Sequence, residues 1–167
     1  MSPEERSLVM ALYVVPGGRP PLSSDEFLRQ FGAADGIALG LGLLRDAVER
    51  RDPADVELAL VVCFSFGFSD AHLEPLITLA FADWHQRHED VAVALGKLGS
   101  SAAVDALVRL AQWVPAYLEF DDARALAVKA IWALGGIGGG AAHSGLESLV
   151  GSECGIVAEN AVAQLRK

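Results

Sequence analysis

HEDVAVALGKLGSSAAVDALVRL, residues 88–110, carries the pattern that decides the fold. Val91, Leu95 and Leu98 fall at i, i+4 and i+7, one stripe of a helix with 3.6 residues per turn. Ala92, Ala94 and Gly96 lie among them and are small enough to let another helix approach closely. Gly99 follows the last apolar residue, where a chain leaving a helix often needs positive φ. Ser100 or Ser101 can then cap a second helix by accepting from its free N–H groups. Val104, Leu107, Val108 and Ala111 form the stripe of that second helix. Two striped helices in succession predict an antiparallel hairpin.

Weaker copies of this unit recur. Ala133-Leu134-Gly135 matches Ala94-Leu95-Gly96, and Ile137-Gly138 matches Leu98-Gly99, at an offset of 39 residues. Phe66-Gly67 matches Leu98-Gly99 at an offset of 32, and Ala161 to Leu165 matches Ala133 to Ile137 at an offset of 28. Spacings scattered around about 33 residues lie in the range of helical solenoids. A hairpin that buries only one face against itself needs a neighbouring hairpin for the rest of its apolar surface.

On these residues the chain resembles the HEAT-repeat family, in the short form of bacterial HEAT-like and PBS-lyase-type HEAT-like proteins. The A-L-G-x-[LI]-G endings at Ala94–Gly99 and Ala133–Gly138 carry the likeness, each followed by a small-residue turn and a second helix. DWHQRHED at 83–90, YLEFDD at 117–122 and AVKAIWALG at 127–135 look like one bacterial group within it. The resemblance covers about residues 53–167. It implies an all-α, armadillo-like α-solenoid of stacked antiparallel helix pairs, about eight or nine helices in one domain, with residues 1–52 as N-terminal capping helices. It says nothing about a ligand.

Composition agrees with one packed helical domain. The chain has 167 residues, 52% of them apolar, which is ample for a core and too many for disorder. Alternating strand patterns between turn pairs are missing. The longest apolar run, at residues 58–68, is far short of the ~20 residues that span a bilayer. The apolar run at 8–15 follows an acidic leader, SPEER, unlike a signal peptide. These features predict a cytoplasmic protein with no membrane contact. Cys63 and Cys154 lie far apart in apolar settings without a C-x-x-C, and both are expected to be reduced and buried.

Net charge is −9, and residues 1–90 hold 15 acidic against 7 basic side chains, with 7 against 6 after that. Such a surface repels phosphate backbones, which argues against nucleic acid as a partner. It would attract another protein with a basic surface, although acidity also serves solubility.

Taken in order, Ser2-Pro3-Glu4-Glu5 opens a helix to about Val15, and the Pro-Gly segment at 16–24 is a loop. Ser23 caps a short helix ending at Gly32. Further helices are expected over 35–51, 53–66, 69–87, 88–98 and 101–113, then 122–135, 141–150 and 153–166. Residues 113–122 read as an insertion, which accounts for the offset of 39.

Two clusters could carry chemistry. Asp83, His85, His88, Glu89 and Asp90, with Trp84 among them, bring imidazoles and carboxylates into one short stretch, the side chains of metal sites. A HEAT-type di-iron hydroxylase family, the deoxyhypusine hydroxylases, repeats His-Glu pairs on successive hairpins. Here only His88-Glu89 forms such a pair, so no metal centre is expected and a hydrogen-bonded helix junction is favoured. Glu119, Asp121 and Asp122, beside Tyr117 and Phe120, form the second cluster, for which helix capping in a solvated loop is favoured over partner contact. Paired carboxylates can do acid–base work when one is desolvated, but nothing nearby suggests a substrate pocket. Lys129 is expected to reach Asp121 or Asp122, and the three tryptophans to pack in the core, where one could instead be an exposed anchor. Gly135 to Gly140 has no Lys-Ser/Thr after it and no strand before it, so it cradles no phosphate. No catalytic residue, cofactor or metal site is called for. Both clusters are therefore partner-binding candidates. The function expected is a non-catalytic protein-binding module, in its specific form a bacterial immunity protein that neutralises a toxin. The alternative is a HEAT-like enzyme or subunit, metal-dependent or bilin-lyase-like.

Overall fold

Helix caps legible in the chain set the element boundaries. The structure is a computed structural model and describes residues 1–12 and 21–167. Among these residues there are ten α-helices and no strand, rather than eight or nine helices. Each of the ten falls on a segment read as helical from the sequence, so the figure of eight or nine counted too few of those segments. The chain divides into two compact units, residues 1–71 and 72–167.

The first unit holds α1 (Pro3–Met10), α2 (Ser24–Phe31), α3 (Gly36–Arg50) and α4 (Pro53–Phe66). Ser2 and Glu5 form a reciprocal capping box on α1. Ser23, Asp35 and Asp52 accept from the first N–H groups of α2, α3 and α4. The first helix ends at Met10, five residues before the expected Val15, and the expected Pro-Gly loop falls largely in residues 13–20, outside the described residues. Helices α3 and α4 run antiparallel in tight contact. A Cβ on Gly36 would lie 2.2 Å from the Phe66 ring, and one on Gly40 would lie 3.0 Å from Cys63 Sγ. Gly42 faces open space, so the close packing expected of all three glycines holds for two. The unit is centred on Val9, Phe27, Leu58 and Val62. At its edge the Met1 ammonium, Arg6 and Arg50 converge on the buried carboxylate of Asp55.

The second unit follows a 3-10 turn at Asp70–His72 and holds α5 (Leu73–Ala80), α6 (His88–Leu98), α7 (Val104–Gln112), α8 (Ala125–Ile137), α9 (Gly139–Val150) and α10 (Gly155–Leu165). The sequence placed the end of α5 at Arg87, but it stops at Ala80, because the chain turns back and side chains take over its carbonyls. Helix α8 starts three residues later than expected, at Ala125. Gly99 ends α6 at φ +71, as its place after the stripe predicts.

Packing in this unit joins helices that are distant in sequence. A Cβ on Gly96 of α6 would lie 2.7 Å from Ala133 Cβ of α8, and Glu89 of α6 pairs with Lys129 of α8. Both partner numbers rise together, so α6 and α8 run parallel. Trp132 of α8 bonds Asn160 of α10, and a Cβ on Gly135 would strike the Gln164 side chain, so α8 and α10 run parallel as well. On the other side α7 packs on α9 through Gly145, whose added Cβ would lie 2.9 Å from Val108. Helix α5 packs on α6 and α7, α7 also on α8, and α9 also on α10. Leu76, Leu79, Leu95, Leu107, Ile131 and Leu134 are sealed inside. Among the described residues no helix is long and apolar enough to cross a membrane.

Candidate interaction site

Carbonyls at the end of a helix need partners, and one in the last turn of α5 and one just past it find them in imidazoles. His85 Nε2 lies 2.8 Å from the Leu79 carbonyl oxygen, and His88 Nε2 lies 2.9 Å from that of Ala82 just beyond the helix. A carbonyl can only accept, so both Nε2 atoms carry the proton. The Nδ1 atoms then accept, His85 from the Arg87 N–H at 3.0 Å and His88 from the Tyr117 hydroxyl at 2.9 Å. The two rings stack at 4.3 Å between centroids. Trp84 meets His85 edge-on, Trp113 meets His88 edge-on at 5.0 Å, and Tyr117 stacks on His88.

Burial first, and the neighbouring His85 second, hold the His88 pKa down at about 4. Burial lowers His85 as well, against the opposing bond to Leu79. Burial also raises the Tyr117 phenol, which stays a donor. The cluster is therefore neutral at neutral pH, and all four imidazole nitrogens are occupied by protein groups. Among the described residues no group of three or more His, Cys, Asp or Glu side chains could hold a metal ion.

This junction fixes the connection at 113–124. Tyr117 sits in a 3-10 turn, Ala116–Leu118, and its hydroxyl ties that turn to α6. Asp121 accepts from Ala123 N at 3.1 Å and from Ala125 N at 2.7 Å, capping α8 from four residues ahead. Arg124 adopts φ +52 to enter the helix. The connection then presents Phe120, 91% exposed, between Glu119 and Asp122, which are also exposed.

The predicted residues thus separate into two sets. Trp84, His85, His88 and Tyr117 come together as an internal brace, with both histidines buried. Glu89 points outward from the brace and bonds Lys129 at 2.5 Å, where the sequence suggested Asp121 or Asp122 for that lysine. Asp90 is half-buried, 3.9 Å from Arg87. Glu119 and Asp122 face solvent, and Asp121 is committed to its cap. Trp132, expected in the core, is 60% exposed on α8. Cys63 is buried as expected, with its thiol pushed up to about 12 by burial, whereas Cys154 is half-buried. Phe120 is the displayed residue that the sequence marks least. Its signal was weak: one aromatic inside a run of acids. Compared with protein-family models and with curated proteins, the chain matches none.

Proposed function

We propose that the chain is a non-catalytic protein-interaction module of HEAT-repeat type, and that the connection at 113–124 meets the partner. The row α6, α8, α10 and the row α7, α9 support the repeat reading, since each helix packs on its counterpart one repeat later. One observation carries the interaction: a fully displayed Phe120 on a segment held rigid by Tyr117–His88 and by the Asp121 cap. A rigid aromatic anchor loses little entropy on binding, and large aromatics dominate interface energetics. Glu119 and Asp122 beside it suit a partner with an apolar pocket rimmed by lysine or arginine.

In its specific form the reading is a bacterial immunity-type protein that neutralises a cognate basic toxin in the cytoplasm. A metal-dependent enzyme built on His85 and His88 gains no support, since each ring nitrogen already has a partner.

The test is affinity capture from the native host with wild-type and Phe120→Ser baits. A partner retained by the wild type at low salt, weakened at physiological salt, and lost from the Phe120→Ser bait is the expected result. Loss of about 2 kcal/mol or more is the size expected of an anchor residue. The immunity form further requires that co-expression relieve growth arrest caused by that partner. A partner captured equally by both baits would remove Phe120 from the site.

A further inference from the structure

The side of the second unit formed by α5, α7 and α9 carries two shallow grooves that meet at one side chain. The first, about 450 Å³, is lined by Phe81, Arg109, Gln112 and Trp113. The second, about 830 Å³, runs along α7 and α9 past Ser101, Val104, Asp105, Val108, Gly145 and Ser148, and it too reaches Arg109. Gly145 keeps its floor low, because a Cβ there would lie 2.9 Å from Val108 and 3.3 Å from Val104.

Arg109 is held but not neutralised. Its guanidinium carbon lies 4.1 Å above the centre of the Phe81 ring, and that ring is 5.9 Å from Trp113. Among the described residues no carboxylate pairs with it. The contact holds the guanidinium over the Phe81 ring, and a guanidinium so placed can take a carboxylate in bidentate fashion even with Asp105 one turn away in the same groove. In a chain with 22 acidic and 13 basic side chains, an unpaired, pre-oriented guanidinium between two grooves complements an anion.

We propose that the double groove takes an extended peptide segment of a partner protein. A Glu or Asp side chain of the segment sits on Arg109, and an apolar side chain sits on the Phe81–Trp113 shelf. Gln112, Ser101 and Ser148 hydrogen-bond its polar groups. This site is separate from the Phe120 segment and selects the opposite charge.

Two capped heptapeptides, acetyl-GSLELSG-amide and acetyl-GSLQLSG-amide, titrated into the 15N-labelled full chain, decide it. The glutamate peptide should shift the Trp113 indole signal and the Arg109 and Gln112 amides, with millimolar affinity. The glutamine peptide should bind about tenfold more weakly, the loss of one charge-assisted bond. Arg109→Gln, at an exposed position, should erase the difference between the peptides, and Phe120→Ser should preserve it. Equal binding of the two peptides, shifts clustered elsewhere, or no shift up to about 10 mM would overturn the proposal.

Discussion

A single hydroxyl ties the insertion back to α6. Tyr117→Phe removes the one proton that His88 Nδ1 accepts among the described residues, leaving a buried acceptor without a donor there. We expect a loss of about 1–2 kcal/mol in urea unfolding and faster amide exchange over residues 116–123. Unchanged exchange there would mean that the Asp121 cap alone holds the segment.

The same imidazole sets a pH window. An unfolded imidazole titrates near ~6.5, whereas folded His88 titrates at about 4. Between these values the unfolded chain takes up a proton that the folded chain refuses. Stability is therefore full above pH ~6.5, falls as pH drops through the window, and levels off for this group below about 4. The span corresponds to a loss on the order of 3 kcal/mol, with His85 acting in the same direction. Unfolding midpoints at several pH values, compared with those of His88→Gln, which keeps a donor for Ala82 and does not titrate, should show the flatter profile in the variant. Asp55 acts lower on the scale. Its burial raises its pKa, but the Met1 ammonium and Arg50 more than reverse this, so the net shift is downward. Its contribution is present above the ordinary carboxylate range and is lost as pH falls through its depressed folded value.

Between elements, the decisive contacts are made by residues that lack side chains. Gly96 was legible as a small residue on α6, and the offset of 39 pointed to α8 as its counterpart. The contact itself, Gly96 against Ala133, is what holds the two helices close. Gly96→Ala improves helix propensity by up to ~1 kcal/mol but inserts a methyl 2.7 Å from Ala133 Cβ and 3.0 Å from its Cα. Overpacking of this kind costs about 1–3 kcal/mol, so the variant should be less stable by thermal and urea unfolding. Adding Ala133→Gly should recover part of the loss, with a coupling of at least about 0.5 kcal/mol in a double-mutant cycle. Additive effects would mean that the helices shift apart without cost. Helix α5 shows the opposite case. Its apolar stripe continues to Trp84, and only the bonds from His85 and His88 to the Leu79 and Ala82 carbonyls end it at Ala80.

Across the whole molecule, each unit has its own sealed interior. Residues 72–167 bury eight or more large side chains, among them Leu95, Leu107, Leu110 and Leu149, enough for a domain of that length. The fragment 72–167 should therefore keep a helical circular dichroism spectrum and unfold cooperatively; a non-cooperative melt would show that it needs residues 1–71. What the chain alone determined was helix class and most helix starts. These depend on local chemistry, in which caps, stripes and glycine stops act within a few residues of one another. Only the tertiary structure decided that His85 and His88 face inward, that Lys129 takes Glu89, and that Phe120 and Trp132 are displayed while Arg109 lies over Phe81. The Tyr117–His88, Lys129–Glu89, Trp132–Asn160 and Arg109–Phe81 contacts join residues 28 or more apart in sequence, and no periodicity encodes which side of a turn will meet them.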